Sequence, residues 1–172
     1  MGKFSITGET VFDYPADVIY DFVSNPHNWG KTYKGSGGMQ DKNLKVPLEI
    51  GAIWTERVTL PPNTYLSTWR LITAERPRKF AFQQVNKIGM LEDGTGGVDG
   101  FTTITYTFED NIGCGKTLFT RNLTGELPRG VGLPDDLLTV CCRPDGIERY
   151  HDAVKRELDK EHGRESKDTD QA

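Results

Sequence analysis

A row of strand-like segments, joined by connections too short to hold a helix, constrains this chain more than any other feature. Residues 101–109 (FTTITYTFE) alternate strictly, with Ile104, Tyr106 and Phe108 on one face and Thr103, Thr105 and Thr107 on the other. That is the period-two pattern of a strand with one face buried. Upstream, residues 50–60 stop at Pro61-Pro62-Asn63, residues 65–75 stop near Pro77, and residues 80–87 follow; downstream, residues 111–115 turn into residues 116–123. Parallel strands need crossovers of a dozen or more residues, so these neighbours are expected to pair as an antiparallel meander.

Helical periods flank the meander. After a first strand at residues 4–12, Pro15 stands where a helix through ADVIYDFVSN begins. That helix closes before Pro26, and a second short helix or loop follows around Trp29. The glycine-rich residues 35–38 and 89–100 read as a connector and a long loop. In the last third, Ile147, Tyr150, His151, Val154 and Leu158 follow the spacing i, i+3, i+4, i+7, i+11, one apolar stripe of a long amphipathic helix. Pro134 opens a shorter helix, and Pro144 and Gly146 separate the two.

The chain's 172 residues suit one domain, expected over residues 1–162, with a polar, disordered tail at 163–172. Twenty-one Lys and Arg against 25 Asp and Glu give a net charge of −4 with no basic block, which argues against nucleic acid or an anionic membrane surface as partner. Cys114, Cys141 and Cys142 form no disulfide framework or zinc spacing, and no signal or spanning segment is visible, so a cytoplasmic protein with reduced thiols is expected. Residues 94–100 lack the Lys-Ser/Thr ending and following helix of a phosphate loop. Neither a metal nor an organic cofactor is expected. Nineteen glycines and 10% aromatics within only 35% hydrophobics suggest a core of few, large side chains, some of them lining a space.

The order of strand, small helix pair, meander and long last helix resembles the helix-grip arrangement of the START-related SRPBCC superfamily. Residues 12–29, including Pro15-Ala16 and Trp29, resemble its entry strand, first helix and tryptophan corner. Gly51-Ala52-Ile53-Trp54-Thr55-Glu56 resembles the Gly-x-x-Trp-x-Glu strand of cyclase-like members, and residues 72–82 resemble a third segment, with Ala74 and Arg76 departing from it. The resemblance implies an α+β fold in which a curved antiparallel sheet wraps the last helix and encloses a cavity. It also implies a hydrophobic small molecule as partner. Members include polyketide cyclases and dehydratases as well as carriers, so the implied function is cofactor-free cyclisation, dehydration or isomerisation of a polyketide-like metabolite, or binding of an apolar ligand without conversion.

Strand parity nominates the groups that would act in such a cavity. Trp54 and Glu56 share a face, and Trp69 follows the same logic on the next strand. A carboxylate buried beside an indole is destabilised relative to its acid, which makes Glu56 the first candidate for proton transfer; an outward Glu56, or one paired to an arginine, is the alternative. Tyr106 is expected inward. Arg121 alternates with Phe119 and Leu123, and its facing is open: inward it would hold an anion or pair with Glu56, outward it would be solvated. His151, on the apolar stripe, is a proton shuttle or a satisfied core histidine. The remaining lining is expected from Phe82, Met90, Phe108, Leu138, Cys141 and Tyr150.

Overall fold

The computed structural model describes residues 2–33, 35–110, 113, 115–141 and 143–164, with the backbone alone at 139–141. Cys114, Cys142 and most of the expected polar tail lie outside the described residues. Strand β1 (Gly2–Phe12) leads through Pro15, extended at φ −61° and ψ 152°, into α1 (Ala16–Val23). A 3₁₀ turn (Pro26–Asn28) follows, capped by the Asn25 side chain on the His27 N–H, and runs into the single turn α2 (Trp29–Thr32). The Trp29 indole N–H donates to the Val23 carbonyl at 3.1 Å, which fixes α2 against the end of α1.

Seven antiparallel strands then form one sheet, in the order β1-β9-β8-β5-β4-β3-β2. They are β2 (Ser36–Met39), β3 (Ile53–Leu60), β4 (Asn63–Glu75), β5 (Lys79–Gln84), β8 (Phe101–Glu109) and β9 (Thr117–Leu127), with β1 at one edge. β6 (Ile88–Met90) and β7 (Gly96–Val98) make a separate hairpin; α3 (Asp135–Cys141) and α4 (Pro144–Glu161) complete the chain. The buried residues of α4 are Ile147, Tyr150, His151, Val154 and Leu158, the stripe that the spacing identifies, together with Ala153. This is the expected α+β arrangement, a large antiparallel sheet gripping its C-terminal helix.

Three local expectations change. Residues 36–39 are a strand, not a connector: glycines at 37 and 38 place no side chain against β3, and the segment pairs Ser36 with Val58 and Met39 with Glu56. Three residues of β2 thus span two of β3. Gly38 takes φ +83° to absorb the extra residue, a bulge that turns both Ser36 and Met39 toward the interior. The strand after Pro77 ends at Gln84, three residues early, because Asn86 takes over the edge of β4. Its side-chain amide donates to the Leu66 carbonyl, and its oxygen accepts from the Thr68 N–H, both at 2.8 Å. The glycine-rich stretch at 89–100 contains the β6–β7 hairpin. Gly97 lies so close to the Met90 backbone that a Cβ there would come within 2.9 Å of its nitrogen, so a bare residue lets the strands approach.

Two apolar clusters follow from this topology. The larger lies between the sheet, α1, α2 and α4 and contains Phe12, Trp54, Trp69, Phe80, Phe82, Tyr106, Phe108, Phe119 and Tyr150. The smaller joins Tyr65, Ile88 and Leu127 to Leu133 and Leu137, and so holds α3 and the hairpin on the sheet. The Tyr65 hydroxyl donates to Asp136 at 2.5 Å across this second cluster.

Candidate functional site

β3 and β4 place Trp54 directly opposite Trp69 and carry Glu56 one step further along the same inner face. Glu56 is 6% exposed. Burial pushes its carboxyl pKa up to about 7, and the Ser36 hydroxyl, the Trp69 indole and the Arg121 guanidinium together only partly oppose that rise. Ser36 reaches this position through the β2 bulge, where its hydroxyl also accepts from the Gly38 N–H at 3.1 Å. The Trp69 N–H acts on the carboxyl without closing a hydrogen bond of normal geometry, since its nitrogen is buried without a partner.

Because Phe119 and Leu123 of β9 are buried, the alternation of that strand brings Arg121 inward. Its guanidinium lies 5.1 Å from the Tyr150 ring centroid, a cation–π contact supplied by α4. Burial works against the charge, but the phenols of Tyr106, Tyr150 and Tyr33 more than offset it. The Tyr150 hydroxyl in turn donates to Tyr106 at 3.2 Å, and burial raises the Tyr150 pKa well above the usual tyrosine value. One α4 position on, His151 is held by Thr10, with Oγ1 and Nδ1 2.7 Å apart, and packs on Phe119 at 4.7 Å between centroids. Burial and the nearby Arg121 charge depress the His151 pKa to about 4. His151 is therefore neutral near pH 7, a hydrogen-bonding group more than a store of protons.

Arg121 thus acts on Glu56, His151, Tyr106 and Tyr150 at once, so the four residues nominated for proton chemistry converge on one interior region, with Tyr150 beside them. Four nitrogens of this interior, Trp54 Nε1, Trp69 Nε1, Arg121 Nε and His151 Nε2, are buried without a hydrogen-bond partner. Left so, each costs about 1–3 kcal/mol. Among the described residues, no three His, Cys, Asp or Glu side chains gather as metal ligands.

The apolar candidates divide. Phe82 and Phe108 are buried in the main cluster. Phe82 meets Trp29 at 5.0 Å and Trp69 at 5.1 Å between ring centroids, and Trp54 meets Trp29 at 5.7 Å, so these rings pack on one another as well as facing the interior. Met90 is half-buried on the β6–β7 hairpin, its sulfur 3.9 Å from Asn86 Nδ2. Leu138 corrects its expectation: it is 38% exposed, because Leu137 takes the inward position on α3. The Cys141 side chain lies outside the described residues. Sequence parity missed Ser36, hidden because a glycine-rich stretch gives no alternation to read. It also missed the part of Thr10, although Thr10 shares a face of β1 with Phe4, Ile6 and Phe12.

No family model matches the chain. Penitrem biosynthesis cluster 1 protein I of Penicillium ochrochloron is 29% identical over 124 residues, 72% of this chain and 76% of that protein. The di-domain ARO/CYC BexL from the BE-7585A biosynthetic pathway superposes with a TM-score of 0.66 at 14% identity; the match covers 91% of this chain and half of that one. A norcoclaurine synthase point mutant from Thalictrum flavum, solved with a transition-state analogue, superposes at 0.60 with 14% identity, over 94% of this chain and 97% of that one. Strand order, grip helix and superpositions agree on one point: the chain has the helix-grip fold of these solved structures, a large antiparallel sheet wrapped around a long C-terminal helix.

Proposed function

We propose that the protein binds a hydrophobic, oxygen-bearing secondary metabolite between the sheet and α4 and transfers a proton within it, in a cyclisation, dehydration or isomerisation. The observation that carries this reading is the Glu56 carboxyl, raised to about 7 inside an apolar wall and within the influence of an inward-facing arginine. A carboxyl poised near neutral pH is populated both as base and as acid. The biosynthetic setting named for the Penicillium relative and for BexL supports the metabolite class.

The chemistry follows from the charges. Glu56 as carboxylate takes a proton from a carbon next to a carbonyl, and the bonding electrons move onto the carbonyl oxygen. The Arg121 guanidinium and the Tyr106–Tyr150 hydroxyl pair stabilise that oxyanion in a site of low polarity, where fixed dipoles act more strongly than in water. Neutral Glu56 then returns the proton, to another carbon in an isomerisation or to a departing hydroxyl that leaves as water in a dehydration. Trp54, Trp69 and Phe82 hold the substrate flat and exclude solvent.

The test incubates the purified protein with a panel of aromatic polyketides and lipids and reads products by mass spectrometry and chromatography. Conversion is expected, and Glu56→Gln should lower turnover by at least about tenfold while ligand binding persists. Recovery of an unmodified, tightly held ligand from the wild-type protein, with no product formed, would show a carrier instead. Turnover that Glu56→Gln leaves unchanged removes Glu56 from the mechanism.

A further inference from the structure

The two edges of the seven-stranded sheet are finished differently. β2 is four residues long, glycine-rich and bulged, features that discourage another strand from pairing with it. β1 is eleven residues long, contains no proline, and keeps one unbroken register with β9 from Gly2–Leu127 to Phe12–Thr117. Among the described residues, nothing pairs with its other side. Its inward residues Phe4, Ile6, Gly8 and Thr10 stay only half-buried although they face the core side of the sheet, and Lys3, Ser5, Thr7, Glu9 and Val11 are exposed on the outer face.

The geometry points to a second copy of this chain as the partner of that edge. We propose that two β1 strands pair antiparallel about a two-fold axis at Ile6 and join the two sheets into one. The sequence of β1 is complementary to itself in that register. Residue i then faces residue 12 − i of the other strand, so Lys3 faces the partner's Glu9 and Glu9 faces the partner's Lys3 on the same outer face. Ser5 faces the partner's Thr7, and Ile6 meets the partner's Ile6 on the inner face, where the shared contact completes its burial. Phe4 faces the partner's Gly8, so no two large side chains compete except the isoleucines on the axis. A slip of two residues in either direction sets Lys3 against the partner's Val11 or Thr7 and loses both ion pairs; cross-strand pairs of this kind discriminate among registers. The helix leaves room at the axis. α4 meets β1 toward its C-terminal end, with Ile147 over Gly8 and His151 bound to Thr10, beyond Ile6.

Sedimentation equilibrium and light scattering across a concentration series test the proposal. The wild-type chain should approach twice its 19.3 kDa mass as concentration rises. Lys3→Glu or Glu9→Lys alone places two like-charge pairs in the joint and should weaken association by about tenfold; the double exchange restores it. A chain that stays monomeric at the highest concentration overturns the proposal. So do single exchanges that associate like wild type, or a double exchange that stays weak. Hydrogen exchange needs no variant: edge amides within residues 3–9 should become protected as concentration rises, and protection that does not change with concentration also overturns it.

Discussion

Replacing Glu56 with Gln isolates the cost of holding a carboxyl in the interior, and the expected effect depends on pH in one direction only. The folded carboxyl titrates at about 7 against an ordinary 4.5. A pKa raised by folding contributes stability in full below the unfolded value and loses it as pH rises through the folded one. The span is about 2.5 pH units, and at about 1.4 kcal/mol per unit the carboxyl surrenders about 3 kcal/mol between pH 4.5 and 7. Gln has nearly the same shape and does not ionise. The stability of Glu56→Gln relative to wild type should therefore rise by about 3 kcal/mol across that window and level off above it. Urea unfolding of both proteins in steps from about pH 4.5 to 8 measures the difference, and buffer effects common to both cancel. His151 moves the other way. Its pKa falls from 6.5 to about 4, so its contribution is present above 6.5 and is lost as pH falls toward 4. The wild-type curve alone is thus expected to be shallow, with two opposed slopes overlapping; the variant exposes the histidine slope. A wild-type-to-variant difference that stays constant to within about 0.5 kcal/mol across the window would refute the reasoning, because a buried and electrostatically penalised carboxyl cannot yield it.

Further outcomes follow from the same geometry. Removing the Arg121 charge with Arg121→Met should raise the pKa of both His151 and Glu56, since the guanidinium lowers each; the His151 ring proton shifts followed by NMR titration report this, and an unmoved histidine separates it from Arg121. Gly8 sits under Ile147, whose Cγ2 would lie 2.4 Å from an added Cβ. Gly8→Ala should cost about 1–3 kcal/mol in thermal or urea unfolding, and trimming the neighbour with Ile147→Val should recover part of it. Equal losses with and without that trimming would mean the cost lies in the strand itself.

Legibility in the sequence tracked how regular each segment's environment is. β8 was readable to the residue because it lies mid-sheet with one face buried, so alternation survives along its whole length. α4 was readable because its stripe packs on a single surface. Glu56 and Tyr106 followed from parity alone, while Arg121 needed its neighbours' burial, since a strand carrying both aromatics and an arginine gives no sign of which face is wet. β2 and the β6–β7 hairpin were not readable. Their backbones pair because glycine permits it, and a glycine leaves no periodic mark in a sequence. Nor was the convergence on Arg121 legible, since it joins β3, β8, β9 and α4, which only the folded sheet brings together.

The bulge in β2 has one more implication, for how such a protein diversifies. The inward phase of Ser36 is set by one surplus residue between positions 36 and 39, not by the identity of its neighbours. At the present spacing of three, straightening β2 into regular pairing would put Ser36 and Met39 on opposite faces and rotate the hydroxyl out of the interior, with every side chain left intact. The proton affinity of the Glu56 carboxyl is thereby sensitive to how β2 pairs as well as to which residues it carries. Substituting Gly38, whose φ of +83° other residues rarely adopt, would shift the acidity of that carboxyl without touching either partner.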